Sequence, residues 1–98
     1  MIKVNITKNQ IKITGHAMYD DYGKDIVCAS VSSIVITSVN LALRLNKQSL
    51  NYKEAEGLLV IDILSHDLVT DTIILNMIEL LKELEKNYSK NIKINEEV

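Results

Sequence analysis

The chain has no proline, no tryptophan and no phenylalanine, and one cysteine among its 98 residues. Four tyrosines are its only aromatics, so a core has to be assembled from Ile, Leu and Val. Without proline, turns and helix ends rest on capping side chains and on three glycines, Gly15, Gly23 and Gly57. One cysteine excludes an internal disulfide, which points to a reducing, cytoplasmic setting. Basic residues number 11 against 13 acidic ones, for a net charge of −2. No basic stripe stands out, which argues against binding nucleic acid through its phosphates. The length suits one core, so a single domain over 1–98 is expected.

The start, Met1-Ile2-Lys3-Val4-Asn5-Ile6-Thr7, alternates apolar and polar residues instead of forming a signal-like apolar run. Residues 26–43 carry no charge, a stretch approaching bilayer-spanning length. Ser30, Ser32, Ser33, Thr37, Ser38 and Asn40 interrupt it, so a buried helix is expected and no membrane span.

Ile2, Val4 and Ile6, then Ile11 and Ile13, have the period of two half-buried strands around a turn at Lys8-Asn9-Gln10. Ala17 to Lys24 reads as a mobile loop. Asp25 is a helix N-cap, and the helix it starts runs to about Asn46. Val27, Val31, Ile34, Ser38, Ala42 and Leu45 form its expected core stripe. Ser30, Ser33, Thr37, Asn40 and Arg44 form a second stripe with little charge, expected to be covered by a second subunit. Leu50 and Tyr52 mark a third strand, with a turn at Glu54-Ala55-Glu56-Gly57. Leu58 to Leu64 then reads as a central strand buried on both faces. A second helix from Ser65 or Asp67 presents Val69, Ile73, Met77, Leu81, Leu84 and Tyr88 to the core. Asn91 to Asn95 supplies a last strand. The expected fold is α+β: two helices on a mixed, mainly antiparallel sheet, in the order ββαββαβ.

Asp25 as N-cap puts Cys28 in the first helical turn. Amides there lack intrahelical acceptors, and the helix dipole adds roughly half a positive charge. Thiols in such positions become reactive thiolates. His16 ends the second strand, whose edge neighbours the helix start, so an imidazole base is within reach. Two other readings compete with this one. Lone cysteines often pack as small buried hydrophobes, and capping alone accounts for Asp25. Ser65-His66-Asp67 contains triad letters, but triads assemble in space and not by adjacency. No paired ligand spacing suggests a metal, and no cofactor is expected.

Gly15-His16-Ala17, followed by Gly23-Lys24-Asp25-Ile26-Val27-Cys28-Ala29-Ser30-Val31-Ser32, closely resembles the Prp family of ribosomal-processing cysteine proteases. The resemblance covers nearly the whole chain. It implies a Cys–His protease that removes an N-terminal extension from large-subunit ribosomal protein twenty-seven during ribosome assembly. It also implies a homodimer with a flexible loop over the active site. Cys28 becomes the nucleophile and His16 the base, with Asp25 as auxiliary acid or cap and Gly15 and Ser32 in support. Met18, Tyr19, Tyr22 and Gly23 lie on the substrate loop, and the first-turn amides of the helix become the oxyanion donors. The competing classes are a non-catalytic ribosomal-protein-binding partner and a thiol redox sensor.

Overall fold

A computed structural model describes residues 1–21 and 23–97. Its elements are β1 (Ile2–Ile6), β2 (Gln10–Thr14), α1 (Ile26–Leu45), β3 (Leu50–Ala55), β4 (Leu58–Ile63), α2 (Leu68–Asn87) and β5 (Ile92–Glu96). The order is the ββαββαβ read from the sequence. The five strands lie as β3-β4-β2-β1-β5. Every neighbouring pair is antiparallel except β1 with β5, which is parallel with Ile2 opposite Ile92. The chain's two ends therefore meet in adjacent strands.

Alternation decides which face is covered. In β1, Ile2, Val4 and Ile6 are buried while Lys3 and Asn5 are exposed, and β2 continues the pattern with Ile11 and Ile13. Both helices pack on that one face, and their buried aliphatics join it in a single cluster. β4 departs from the sequence reading. Ile61 and Ile63 point into the core, but Val60 and Asp62 lie on the open face, opposite Lys12 and Gln10 of β2. With helices on one side only, a central strand is covered once and not twice. That also accounts for Asp62, whose Oδ1 accepts a hydrogen bond from Gln10 Nε2 at 2.9 Å. The β3–β4 turn is tighter than expected, because β3 continues through Ala55 and only Glu56 and Gly57 remain outside the strands.

The helix stripes also shift in phase. In α1, Val35 and Val39 are buried in place of Ile34 and Leu45, and Leu45 is 60% exposed. In α2, Thr70, Ile74 and Ile78 join Met77 and Leu81 in the core, whereas Val69 is half exposed. A valine stripe lets α1 sit close to the sheet and leaves its longer aliphatics outside. α1 is long and apolar enough to cross a membrane by length and composition, and only 28% of its apolar window is buried within the chain. Within this chain the helix read as buried is covered along its valine stripe only. Ser33, Thr37, Asn40 and Arg44 all remain exposed within this chain. Asp67, not Ser65, caps α2, and its side chain accepts from the Thr70 amide at 2.7 Å.

Core position and exposed position separate by mutation. Leu81→Ala, at a site with no exposure, is expected to lower the unfolding free energy by about 2–5 kcal/mol in urea melts. Leu45→Ala is expected to change it by roughly 0.5 kcal/mol or less, which distinguishes the observed α1 stripe from the one read from the sequence.

Candidate active site

The site is built where β2 ends and α1 begins. Gly15 leaves β2 with φ +87°, and a Cβ there would collide with the carbonyl oxygen of Met1, so only glycine fits. This turn lifts His16 to the surface and drives Ala17 inward, where it is 1% exposed. Met18 then takes a left-handed conformation with φ 58°, rare for a residue with a side chain, and is 77% exposed.

Asp25 joins this loop to the helix. Its Oδ1 accepts from the amides of Val27 and Cys28, both at 3.0 Å. Its Oδ2 accepts from the Tyr19 amide, also at 3.0 Å. Burial pushes this carboxyl up, but the amides of Cys28, Tyr19, Asp20 and Val27 outweigh burial and hold it below its ordinary 3.8. Both oxygens are engaged by backbone, and among the described residues Asp25 makes no hydrogen bond to His16. Its geometry is that of a cap and loop tie. The same bonds correct a second expectation. The Val27 and Cys28 amides already serve Asp25, so in this conformation they are not open oxyanion donors.

Cys28 is half-buried and unpaired. Its Sγ accepts a hydrogen bond from the Ala17 amide at 3.3 Å. His16 and Cys28 together line two adjoining lobes of one cleft, of about 480 and 360 Å³. Ser32, one turn after Cys28, and Glu56 also border both lobes. Met18, Gly23 and Asp25 line the first lobe, and Gly15 the second. Gly57 has φ +67°, and a Cβ on it would lie 3.3 Å from His16 Nε2, so the imidazole rests against the β3–β4 turn.

The structure thus gathers His16, Cys28, Asp25, Gly15, Ser32, Met18 and Gly23 in one region. Tyr19 departs from its expected role. Its ring stands edge-on against Tyr88, with centroids 5.4 Å apart, and anchors the loop without lining the cleft. Tyr22 lies outside the described residues. Glu56 and Gly57 were legible only as turn residues, since nothing local marks a turn as the far wall of a site. His66 stands apart: Nδ1 is 3.0 Å from Asp71 Oδ1 and Nε2 is 2.8 Å from Asn9 Oδ1. Both ring nitrogens are occupied, so Ser65-His66-Asp67 forms a staple between α2 and the β1–β2 turn. Among the described residues, no group of three or more His, Cys, Asp or Glu is arranged to hold a metal ion.

Known proteins share this fold. The family model described as "Cysteine protease Prp" matches residues 1–93. The ribosomal processing cysteine protease Prp of Staphylococcus aureus (strain NCTC 8325 / PS 47) is 36% identical over 106 residues, covering 97% of this chain and 98% of that relative. A crystal structure of the essential ribosomal processing protease Prp from S. aureus, with a covalently linked product peptide, superposes with a TM-score of 0.93. It is 28% identical and covers 99% of this chain and 100% of that one. The S. aureus protease with a substrate peptide gives a TM-score of 0.87 at 27% identity, over the same shares of the two chains.

The Asp25 tie has a measurable acid signature. A carboxyl held below its unfolded value binds its proton less tightly in the folded state, so its contribution is complete well above pH 3.8. It is lost as the pH falls through the lower folded-state value. Asp25→Ala is expected to cost about 0.5–2 kcal/mol at pH 7, and the gap from wild type should narrow at pH 3 in urea unfolding.

Proposed function

We infer, because this chain belongs to the Prp family of ribosomal-processing cysteine proteases, that its substrate is a ribosomal-protein precursor and that Cys28 and His16 perform the cleavage. The precursor is large-subunit ribosomal protein twenty-seven carrying an N-terminal extension, and the reaction takes place in the cytoplasm. The observation that carries this reading is the cleft itself, in which His16 and Cys28 border both lobes. A peptide laid across the cleft passes the sulfur with chain on either side. The covalently linked product peptide in the S. aureus protease supports a covalent route.

The chemistry follows from these groups. His16 takes the Cys28 proton, and the sulfur attacks the scissile carbonyl, forming an S–C bond. Collapse of the tetrahedral adduct breaks the C–N bond as His16 returns the proton to the leaving amine. Water then attacks the thioester and releases the second product and the thiol. Asp25 contributes by fixing the helix start and the loop that carries His16, not by polarising the imidazole. Ser32, one helical turn after Cys28, borders both lobes, where its hydroxyl can meet the substrate backbone. Met18, Asp20 and Gly23 border the cleft and are placed to contact the peptide.

Charge supports a basic substrate. Among the described lining residues, Asp20, Asp25, Glu54 and Glu56 carry carboxylates and none carries a lysine or arginine side chain. Ribosomal proteins contact an RNA polyanion and are rich in basic residues, so such a lining favours their encounter. The exposed, nearly uncharged face of α1 supports a homodimer, because little else in this chain covers its aliphatic side chains.

Incubation with the extended precursor tests the assignment. Wild type should release the extension, and Cys28→Ala should abolish cleavage while retaining binding. His16→Ala should reduce kcat by about 10²–10⁴-fold. Tight precursor binding without cleavage by wild type overturns the reading. Glu56→Lys should raise KM several-fold at low salt, roughly, and the difference should shrink at about 1 M salt, where screening lengths fall to about 3 Å.

A further inference from the structure

Asn91 lies 74 positions from Ala17, yet its side-chain Nδ2 donates to the Ala17 carbonyl at 3.0 Å. Asn91 is itself firmly seated. Its amide donates to Tyr88 O at 2.8 Å, and its carbonyl accepts from the Ile2 amide at 2.9 Å. The residue it grips is the one whose N–H points at the Cys28 sulfur, at 3.3 Å. Ala17 is thus fixed on three sides: its methyl in the core, its carbonyl by Asn91, and its amide on sulfur. His16 is the next residue along the chain. Tyr88, three residues before Asn91, holds Tyr19 edge-on, so one C-terminal segment seats the loop twice.

The Ala17 hydrogen bond matters because of what surrounds it. The helix start favours negative charge on sulfur, but the Asp25 carboxylate at the same helix start offsets part of that field. A directed N–H on the sulfur is then the local donor that specifically favours the anion, since hydrogen bonds to charged acceptors are about twice as strong as neutral ones.

We propose that Asn91 is a positioning residue for the cysteine chemistry, acting through Ala17: its carboxamide pins the Ala17 carbonyl and so fixes the placement of this residue, keeping the N–H of the preceding peptide unit on the Cys28 sulfur as negative charge develops there. This rests on Cys28 being the nucleophile, and its test reads thiol reactivity separately from proteolysis.

The measurements are the rate of Cys28 alkylation by iodoacetamide at pH 7 and the kcat and KM for the extended precursor. Thermal unfolding is followed in parallel. Asn91→Ala and the isosteric Asn91→Asp, which has no side-chain donor when ionised, should each slow alkylation about tenfold. Both should lower kcat by a similar factor with KM little changed. Ligation at Cys28 also allows a full-length chain with lactate in place of Ala17, which removes that one N–H and keeps the carbonyl. In this ester chain, Asn91→Ala should slow alkylation no further. Wild-type alkylation and kcat in a destabilised Asn91→Asp protein would overturn the proposal, as would an undiminished Asn91→Ala effect in the ester chain. A wild type that fails to cleave the precursor, but whose alkylation still depends on Asn91, would remove the protease assignment and leave the positioning role standing.

Discussion

One carboxylate accepting three backbone amides is the constraint on which the site depends. Asp25 reaches forward to Val27 and Cys28 and sideways to Tyr19, which ties the first turn of a helix to the loop before it. A helix start without such a cap frays, and here fraying would move the sulfur. A loop without it would carry the imidazole away from the sulfur. The same interaction also limits the chemistry, because amides committed to a carboxylate are withheld from a developing oxyanion. The helix cap and a bound anion would thus compete for the same few N–H groups, and the observed bonds commit them to holding the Cys28 turn in place.

Much of the fold was legible in the residues, and the misses share one cause. Strand alternation in β1 and β2 has a period of two, so a single charged residue fixes the register. The helices carry aliphatic side chains around much of their circumference, so several stripes are equally plausible. The choice of Val35 over Ile34, or Ile74 over Ile73, follows from how closely α1 and α2 approach the sheet, which is a tertiary property. β4 misled for a similar reason. Val60 and Leu58 look buried in a list of letters, but no helix exists on their side of the sheet.

The site divides along the same line. Cys28, Asp25 and His16 were legible because a cap, a first-turn thiol and a glycine-flanked imidazole are local patterns. Glu56, Gly57 and Asn91 were not, because each reaches the site through a contact between distant parts of the chain and a surface residue would look the same in the sequence. Tyr19 adds a contact that its place on the loop did not reveal: its ring packs edge-on against Tyr88. Gly15 was legible only as a glycine flanking the histidine. Its reason is the Met1 carbonyl beside it, which no local pattern reveals.

The parallel pairing of β1 with β5 has a long reach. Ile2 and Ile92 pair across about ninety residues of intervening chain, the most non-local strand pairing in the sheet. Asn91 sits at the mouth of that strand, so its grip on Ala17 depends on the same pairing. A chain still emerging during its own synthesis has the cysteine, the histidine and the cap, but not the clasp that sets the loop beside them. The site thus draws on both ends of the sequence, and the strand pairing that joins them also sets the clasp beside the sulfur.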